Sequence, residues 1–378
     1  MRKNKLGIVG GGLGGLSLAI QAARKGFEVT LFEKNTYPFH RVCGEYISLE
    51  SYDFIERLGV PLTEWNLPMI KRLEISSPKG TTVSETLPLG GFGLSRFQLD
   101  DELARVARSL GVLILEKHTV SKIDYLTDTD SFIISANQQT WEVDCCVGSF
   151  GKKSNLDVTW KRPFVQSKTT RLNNYLGVKY HLKTDFPKDK IALHNFVDGY
   201  CGISAIEDDK YCLCYLTTAQ NLKKSGNKLE QMHEQVLFRN PYLKSIFANA
   251  NFLFPEPVTI SQISFEPKTL VENHVLLLGD AAGMITPLCG NGMSMALHAS
   301  KIAFERIDKY ANGIISRHEL ETQFTTSWNQ HFKRRLWVGR QIQAQFGSEF
   351  QTEVLLRTLR PFPFIIKNLI RLTHGQPF

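Results

Sequence analysis

Glu33 and Asp280 each close a short apolar run, where a carboxylate is well placed to accept hydrogen bonds from the hydroxyls of a sugar or sugar-alcohol chain. Between them lie Arg41, Cys43 and Glu45. A guanidinium pairs with anions, a thiol can release a proton, and a carboxyl works as acid or base. Blander roles stand beside these: Arg41 touching a pyrophosphate, Cys43 filling its loop, Glu45 capping the next helix. His40 is near the same loop, while His194, His298 and His318 read as structural. No Ser-His-Asp arrangement, paired-cysteine spacing or two-His motif is present, so no metal site is expected.

Glycines position these groups. Gly10, Gly12 and Gly15 fit G-x-G-x-x-G directly after the buried-strand pattern of residues 6–9. Gly10 permits the tight turn, Gly12 lets backbone approach a pyrophosphate, and Gly15 lets the next helix pack close. That helix, residues 14–25, points its first N–H groups and positive dipole end at the phosphates. Gly26 stops it, and a strand over 27–32 delivers Glu33 to the adenosine ribose. An acid there, rather than Arg, disfavours the 2′-phosphate of NADP.

A second signature follows the run at 275–278: Gly279-Asp280-Ala281-Ala282-Gly283, Pro287, then Gly290-Asn291-Gly292. Asp280 is placed to accept from ribityl hydroxyls, and the small residues after it leave room for a cofactor chain. Pro287 stiffens a loop beside a flat ring. The helix opening at Gly292 directs its N-terminus at the flavin edge that gains negative charge on reduction. One signature cradles a pyrophosphate and the other grips a ribityl chain and ring, so the pair points to FAD.

Length and composition fit a globular cytoplasmic enzyme. The chain has 378 residues, 42% of them hydrophobic, which is enough for two substructures. No stretch approaches the roughly 18 uninterrupted apolar residues of a membrane span. The seven cysteines read as reduced thiols. Net charge is +8, and from residue 316 onward nine Lys/Arg stand against four Asp/Glu. A solvated helix face explains this first, an anionic membrane or acidic partner second, and no nucleic-acid module is recognisable. Strands are expected over 72–77, 82–87, 112–116, 120–125, 132–136 and 141–147. A second run covers 174–182, 191–196, 202–206 and 211–217. Helices are expected at 49–58, 98–110, 228–239, 241–248, 292–307 and through most of the C-terminus.

These motifs, in order over residues 5–307, resemble the FAD-dependent oxidoreductases of the aromatic-hydroxylase fold, which include flavin monooxygenases, flavin halogenases and geranylgeranyl reductase-like enzymes. Arg41-Val42-Cys43-Gly44-Glu45 is similar to the flavin-side loop of the reductase and halogenase branches, and Ser95-Arg96-Phe97 to the Arg that approaches the FAD phosphates. The resemblance implies a cofactor set of Gly10, Gly12, Leu13, Gly14, Gly15, Glu33, Lys34, Arg41, Val42, Cys43, Arg96, Val120, Gly148, Gly151, Gly279, Asp280, Ala281, Gly283, Pro287, Gly290, Asn291, Gly292 and Met293, with Arg41, Cys43 and Glu45 as catalytic candidates. Phe150 stands where self-sufficient monooxygenases usually carry the acid of an Asp-Gly pair. Electrons are therefore expected from a separate reduced-flavin or electron-donor protein, with NAD(P)H the alternative. The halogenase Trp-x-Trp-x-Ile-Pro element is absent, and the Tyr-x-Trp-x-Phe-Pro element of the prenyl reductases keeps only Tyr200.

The implied fold class is α/β: a Rossmann-type FAD-binding domain (1–75, 95–165, 265–310), an inserted antiparallel substrate sheet (76–94, 166–264) and a helical C-terminal region (311–378). The implied activity is monooxygenation of an aromatic or other apolar substrate through a flavin C4a-hydroperoxide. Reduction of lipid C=C bonds and non-catalytic FAD binding are the alternatives. Leu355, Leu356, Phe362, Phe364, Ile365, Ile366 and Leu369, interleaved with Arg357, Arg360, Lys367 and Arg371, form a C-terminal face that docks on the FAD domain, covers a lipophilic pocket or touches a membrane.

Overall fold

The computed structural model describes residues 4–167, 173–286, 290–345 and 348–378. Apolar runs at Leu6–Val9 and in 29–32 have no polar face, so both strands must be covered on two sides. Strands Lys5–Val9 and Glu28–Phe32 accordingly lie in the centre of a parallel sheet, ordered Val271–Glu272, Val275–Leu277, Cys145–Gly148, Lys5–Val9, Glu28–Phe32, Leu113–Leu115, in which only the first strand runs antiparallel. Pairing Leu6 with Cys145 and Val9 with Gly148 sets the glycine turn and the segment after Gly148 side by side. The Rossmann-type expectation is met.

The inserted sheet is also present, with nine strands. Tyr175–Lys183, Tyr211–Thr218, Gly199–Ala205 and Lys190–Phe196 form consecutive antiparallel pairs. Lys190–Phe196 then pairs in parallel with Met69–Ser76, which continues through Thr82–Gly93 to Tyr46–Ser48. Strand Met69–Ser76 runs across residue 75, and Tyr46–Ser48 places the end of the 41–45 loop on the same sheet.

Residues 141–147 are not one strand. Gln139–Val143 belongs to a three-stranded sheet with Ser131–Ala136 and Val120–Leu126, and Cys145–Gly148 enters the parallel sheet. The break is at Asp144, whose carboxylate accepts from the Lys5 backbone N–H at 2.9 Å and whose carbonyl accepts from Arg317 at 2.7 Å. The helix expected from residue 98 starts earlier, as Arg96–Ser109, because Ser95 accepts from the Gln98 N–H at 3.2 Å as its N-cap. Helix Gly292–Ala311 packs on helix Leu13–Arg24, bringing the two glycine signatures onto one end of the parallel sheet. Long helix Arg317–Gln345 covers them, and Glu349–Leu359 and Pro363–Thr373 lie over strand Thr82–Gly93. Among the described residues no helix is long and apolar enough to cross a membrane.

Candidate functional site

The first glycine turn is forced by packing. Gly10 has φ +106°, and a Cβ there would lie 2.4 Å from the Ser149 carbonyl oxygen. A Cβ on Gly15 would lie 2.1 Å from the Gly10 carbonyl oxygen, so this glycine sets the strand-to-helix distance. Gly12 differs. Its Cβ would meet nothing nearer than the Arg96 guanidinium at 3.6 Å, which leaves an open cradle at the N-terminus of helix Leu13–Arg24. Leu13, Gly14 and Gly15 are buried in the core behind it, and Lys34 is exposed.

Glu33 is buried and heavily engaged. One oxygen accepts from the Gly11 N–H at 3.0 Å and pairs with Arg41 at 3.1 Å; the other accepts from the Asn35 backbone and side chain, both at 3.0 Å. Asp100 bridges Arg41 at 3.1 Å and Arg96 at 2.7 Å. Tyr37 donates to the Gly11 carbonyl at 2.5 Å. Two guanidiniums and two carboxylates thus line the cradle, with positive groups beside the open backbone at Gly12.

The 41–45 loop crosses from this cradle to the nine-stranded sheet. Val42 packs where Gly177 lacks a side chain, the Cys212 thiol donates to the Cys43 carbonyl at 3.2 Å, and Ser204 donates to the Gly44 carbonyl at 3.4 Å. Glu45, at φ +56°, turns into the protein. Its carboxylate accepts from Lys179 at 2.5 Å and the Arg96 N–H at 2.9 Å on one oxygen, and contacts His181 Nε2 at 2.6 Å on the other. Burial alone would raise its pKa, but the Lys179 ammonium and His181 outweigh that and hold it at about 2. A carboxylate so fixed in its ionised form is a poor proton donor; its position is that of a staple, neither the acid nor the simple helix cap that the sequence offered. Glu45, His181 and Cys212 bring one potential metal-ligand atom each within 4.8 Å of one another, a cluster absent from the sequence-based expectation. Lys179 already neutralises that carboxylate, and a cation would sit against its ammonium.

At the second signature Gly279 has φ +57°. The Asp280 carboxylate is half-buried and makes no hydrogen bond or salt bridge among the described residues, so its acceptor capacity is open. Ala281 is buried, while Gly283 lines a small cavity together with Asp280, Ile285, Gly292 and Trp328. The Ala281 carbonyl accepts from the buried Arg162 at 3.0 Å, and a Cβ on Gly283 would lie 3.2 Å from the Trp328 ring. Gly290, at φ +61°, abuts Tyr46, and Asn291 donates to the Thr373 carbonyl at 3.0 Å as helix Gly292–Ala311 begins, with Met293 buried. Pro287 lies outside the described residues. Val120 is buried in the three-stranded sheet, where its carbonyl accepts from Asn155 at 3.2 Å.

Gly148 has no room for a side chain because the Phe150 ring would be 2.5 Å from its Cβ, and Gly151 is open at φ +82°. Lys152 and Lys268 were not anticipated. Lys268 donates to the carbonyls of Lys152 and Asp280, both at 2.7 Å, clamping the two segments together. Burial lowers the Lys152 amine to about 8, with Asp280, Cys214 and Cys43 pulling it back upward. Lys268 is lowered to about 8 by the same cause. Burial pushes the Cys43 thiol up. Lys179 and His181 also escaped notice, although two ionisable residues at i, i+2 in an apolar strand share one face and needed a buried partner.

Residues 8–43 match the family described as an NAD(P)-binding Rossmann-like domain. The chain is 23% identical over 389 aligned positions to conditioned medium factor receptor 1 of Dictyostelium discoideum, covering 95% of this chain and 71% of that one. It is 23% identical to digeranylgeranylglycerophospholipid reductase 1 of Methanothermobacter thermautotrophicus over 78% of this chain and 75% of that one. Among solved structures, the flavin-dependent brominase Bmp2 superposes with a TM-score of 0.77 at 17% identity, covering 97% of this chain and 92% of that one. The chain therefore has the fold of a Rossmann-type flavoprotein oxidoreductase. FAD, the group that fold implies, fits the residues present: an open backbone cradle at Gly12 with guanidiniums beside it, and a free carboxylate at Asp280.

Proposed function

We propose that this flavin-dependent oxidoreductase is a monooxygenase acting on an apolar, electron-rich substrate held against the nine-stranded sheet. Gly12, Arg41 and Arg96 would hold the FAD pyrophosphate, and Asp280 the ribityl chain. Bound FAD would supply the electrons that activate dioxygen. The observation that carries the reading is Lys152, whose half-buried amine has no hydrogen bond or salt bridge among the described residues and lies electrostatically coupled to Asp280, Cys214 and Cys43. A desolvated ammonium stabilises the negative charge that oxygen acquires as it takes up electrons, and an amine near pKa 8 can release a proton at neutral pH. Leu73, Leu193, Tyr200, Leu216 and Phe265 are buried in an apolar cluster covered by the C-terminal helices, so a lipophilic substrate reaching the sheet would meet apolar side chains.

A second reading, reduction of a lipid C=C bond, is favoured by Cys43. Its thiol is kept protonated by burial on the flavin-side loop and could supply the proton that accompanies hydride transfer.

The test reduces the FAD-loaded protein anaerobically and admits ¹⁸O₂ with a panel of long-chain phenols and prenylated alkenes. One ¹⁸O atom per product supports oxygenation. A saturated product formed without oxygen supports the reductase. FAD binding with neither product supports a non-catalytic role. Lys152→Met should lower product relative to peroxide release by about 10²-fold, the usual effect of removing one electrostatic donor.

A further inference from the structure

The two C-terminal helices each have one face accounted for and one not. Leu356, Ile366 and Ile370 pack inward with Leu73, Tyr200 and Phe265 over the nine-stranded sheet. On the other side Phe350 is 77% exposed, Phe364 61%, Phe362 45% and Val354 45%. Phe350, Val354 and Arg357 recur at i, i+4, i+7 and so form one stripe of helix Glu349–Leu359. Phe364, Lys367 and Arg371 do the same at i, i+3, i+7 on helix Pro363–Thr373. Phe362 lies in the turn between the helices, its ring 6.1 Å from that of Phe364. Each helix has 11 residues, too short to span a bilayer but suited to lie in its interface.

Charge decides the occupant. Arg357, Arg360, Lys367 and Arg371 are all exposed. Of the acids of the same helices, Glu353 is buried and accepts from Ser77, Thr81 and Arg357, and Glu349, partly exposed, lies 3.8 Å from Lys79. The outer face is therefore aromatic and cationic, with Glu353 engaged inward and Glu349 beside Lys79. A second copy would set these cations against their own kind. Anionic headgroups over an acyl layer match both properties, the rings entering the acyl boundary and the cations the headgroups.

We propose that Phe350, Phe362 and Phe364, rimmed by Arg360, Lys367 and Arg371, dock the protein on an anionic lipid surface. The inner faces of the same helices cover the apolar sheet, so an apolar substrate dissolved in lipid would need to cross about one helix diameter, roughly 10 Å, to reach it. This last clause rests on the apolar-substrate reading; the docking does not.

The 378-residue protein loaded with FAD is sedimented with vesicles of phosphatidylcholine alone and of phosphatidylcholine mixed with phosphatidylglycerol. Wild type should bind the mixed vesicles roughly tenfold or more tightly than the neutral ones, and lose that preference as salt is raised. Phe350→Ser with Phe364→Ser should weaken binding by roughly tenfold or more, and Arg360→Gln with Lys367→Gln should remove the preference for phosphatidylglycerol. Ile314→Ser, an equally exposed apolar site on the turn anchored by Arg317, should change nothing, and all variants should retain wild-type FAD affinity. Absence of wild-type protein from the mixed vesicles, or unchanged binding by the phenylalanine pair, overturns the proposal. A dimer seen by light scattering that the phenylalanine pair abolishes overturns it in favour of a second copy. Failure here leaves the ¹⁸O₂ outcome standing, and failure of oxygenation leaves vesicle binding standing.

Discussion

Glu45 binds together three segments far apart in the chain: its own loop, the N-terminus of helix Arg96–Ser109, and Lys179 with His181 on strand Tyr175–Lys183. Removing one partner of a buried pair leaves the other uncompensated, so Glu45→Gln should cost about 3–5 kcal/mol in denaturant unfolding, and adding Lys179→Met should restore part of it. The carboxyl's folded pKa of about 2 lies below its ordinary value of 4.5. Its contribution to stability is therefore complete above about 4.5 and is lost as pH falls toward 2, and Glu45→Gln should flatten the melting temperature across that window. The lysines behave oppositely. Lys152 and Lys268 fall from 10.5 to about 8 on folding, so the FAD-free protein gains stability as pH rises from 8 to 10.5, where the unfolded chain still binds the protons. Lys152→Met should reduce that gain in melts at stepped pH. The placement of Glu33 at the end of strand Glu28–Phe32 and of Asp280 just after strand Val275–Leu277 was legible because each follows an apolar run beside a glycine motif. The partners of Glu45 were not, because only strand pairing brings residue 179 to residue 45.

Among elements, local signals gave the strands of the parallel sheet and the first inserted strands, where apolar runs end at glycine or charged turns. They failed where one run serves two sheets, as at Gln139–Val143 and Cys145–Gly148, because a run of apolar residues carries no mark of the sheet each half joins. Strand Val258–Ile263 also escaped, since it pairs at an edge and half its residues face water. Glycines separate packing from binding. A Cβ at Gly15 strikes backbone at 2.1 Å, so Gly15→Ala should destabilise the fold by about 1–3 kcal/mol with or without cofactor. At Gly12 the Cβ enters open space, so Gly12→Val should melt like wild type without FAD and fail to bind it.

At the scale of the whole molecule, three layers meet at one end of the parallel sheet: the glycine turns, the antiparallel sheet and the covering helices. Phe150 fills the corner beside Gly10 and Gly148 and brings no acid there. Stopped-flow mixing of oxidised protein with NADPH alone should accordingly give slow flavin bleaching, and a separate electron donor should speed it. In the proposed FAD complex, two glycine signatures more than 250 residues apart form a single site, the first for the adenosine diphosphate half and the second for the ribityl–flavin half. Calorimetric titration of wild type, Gly12→Val and Asp280→Ala with FAD and with ADP tests it most directly. Gly12→Val should lose both ligands, whereas Asp280→Ala should weaken FAD by about 1.5–3 kcal/mol and leave ADP nearly unchanged. Equal losses of FAD and ADP in Asp280→Ala, or wild-type FAD binding in Gly12→Val, would contradict the account.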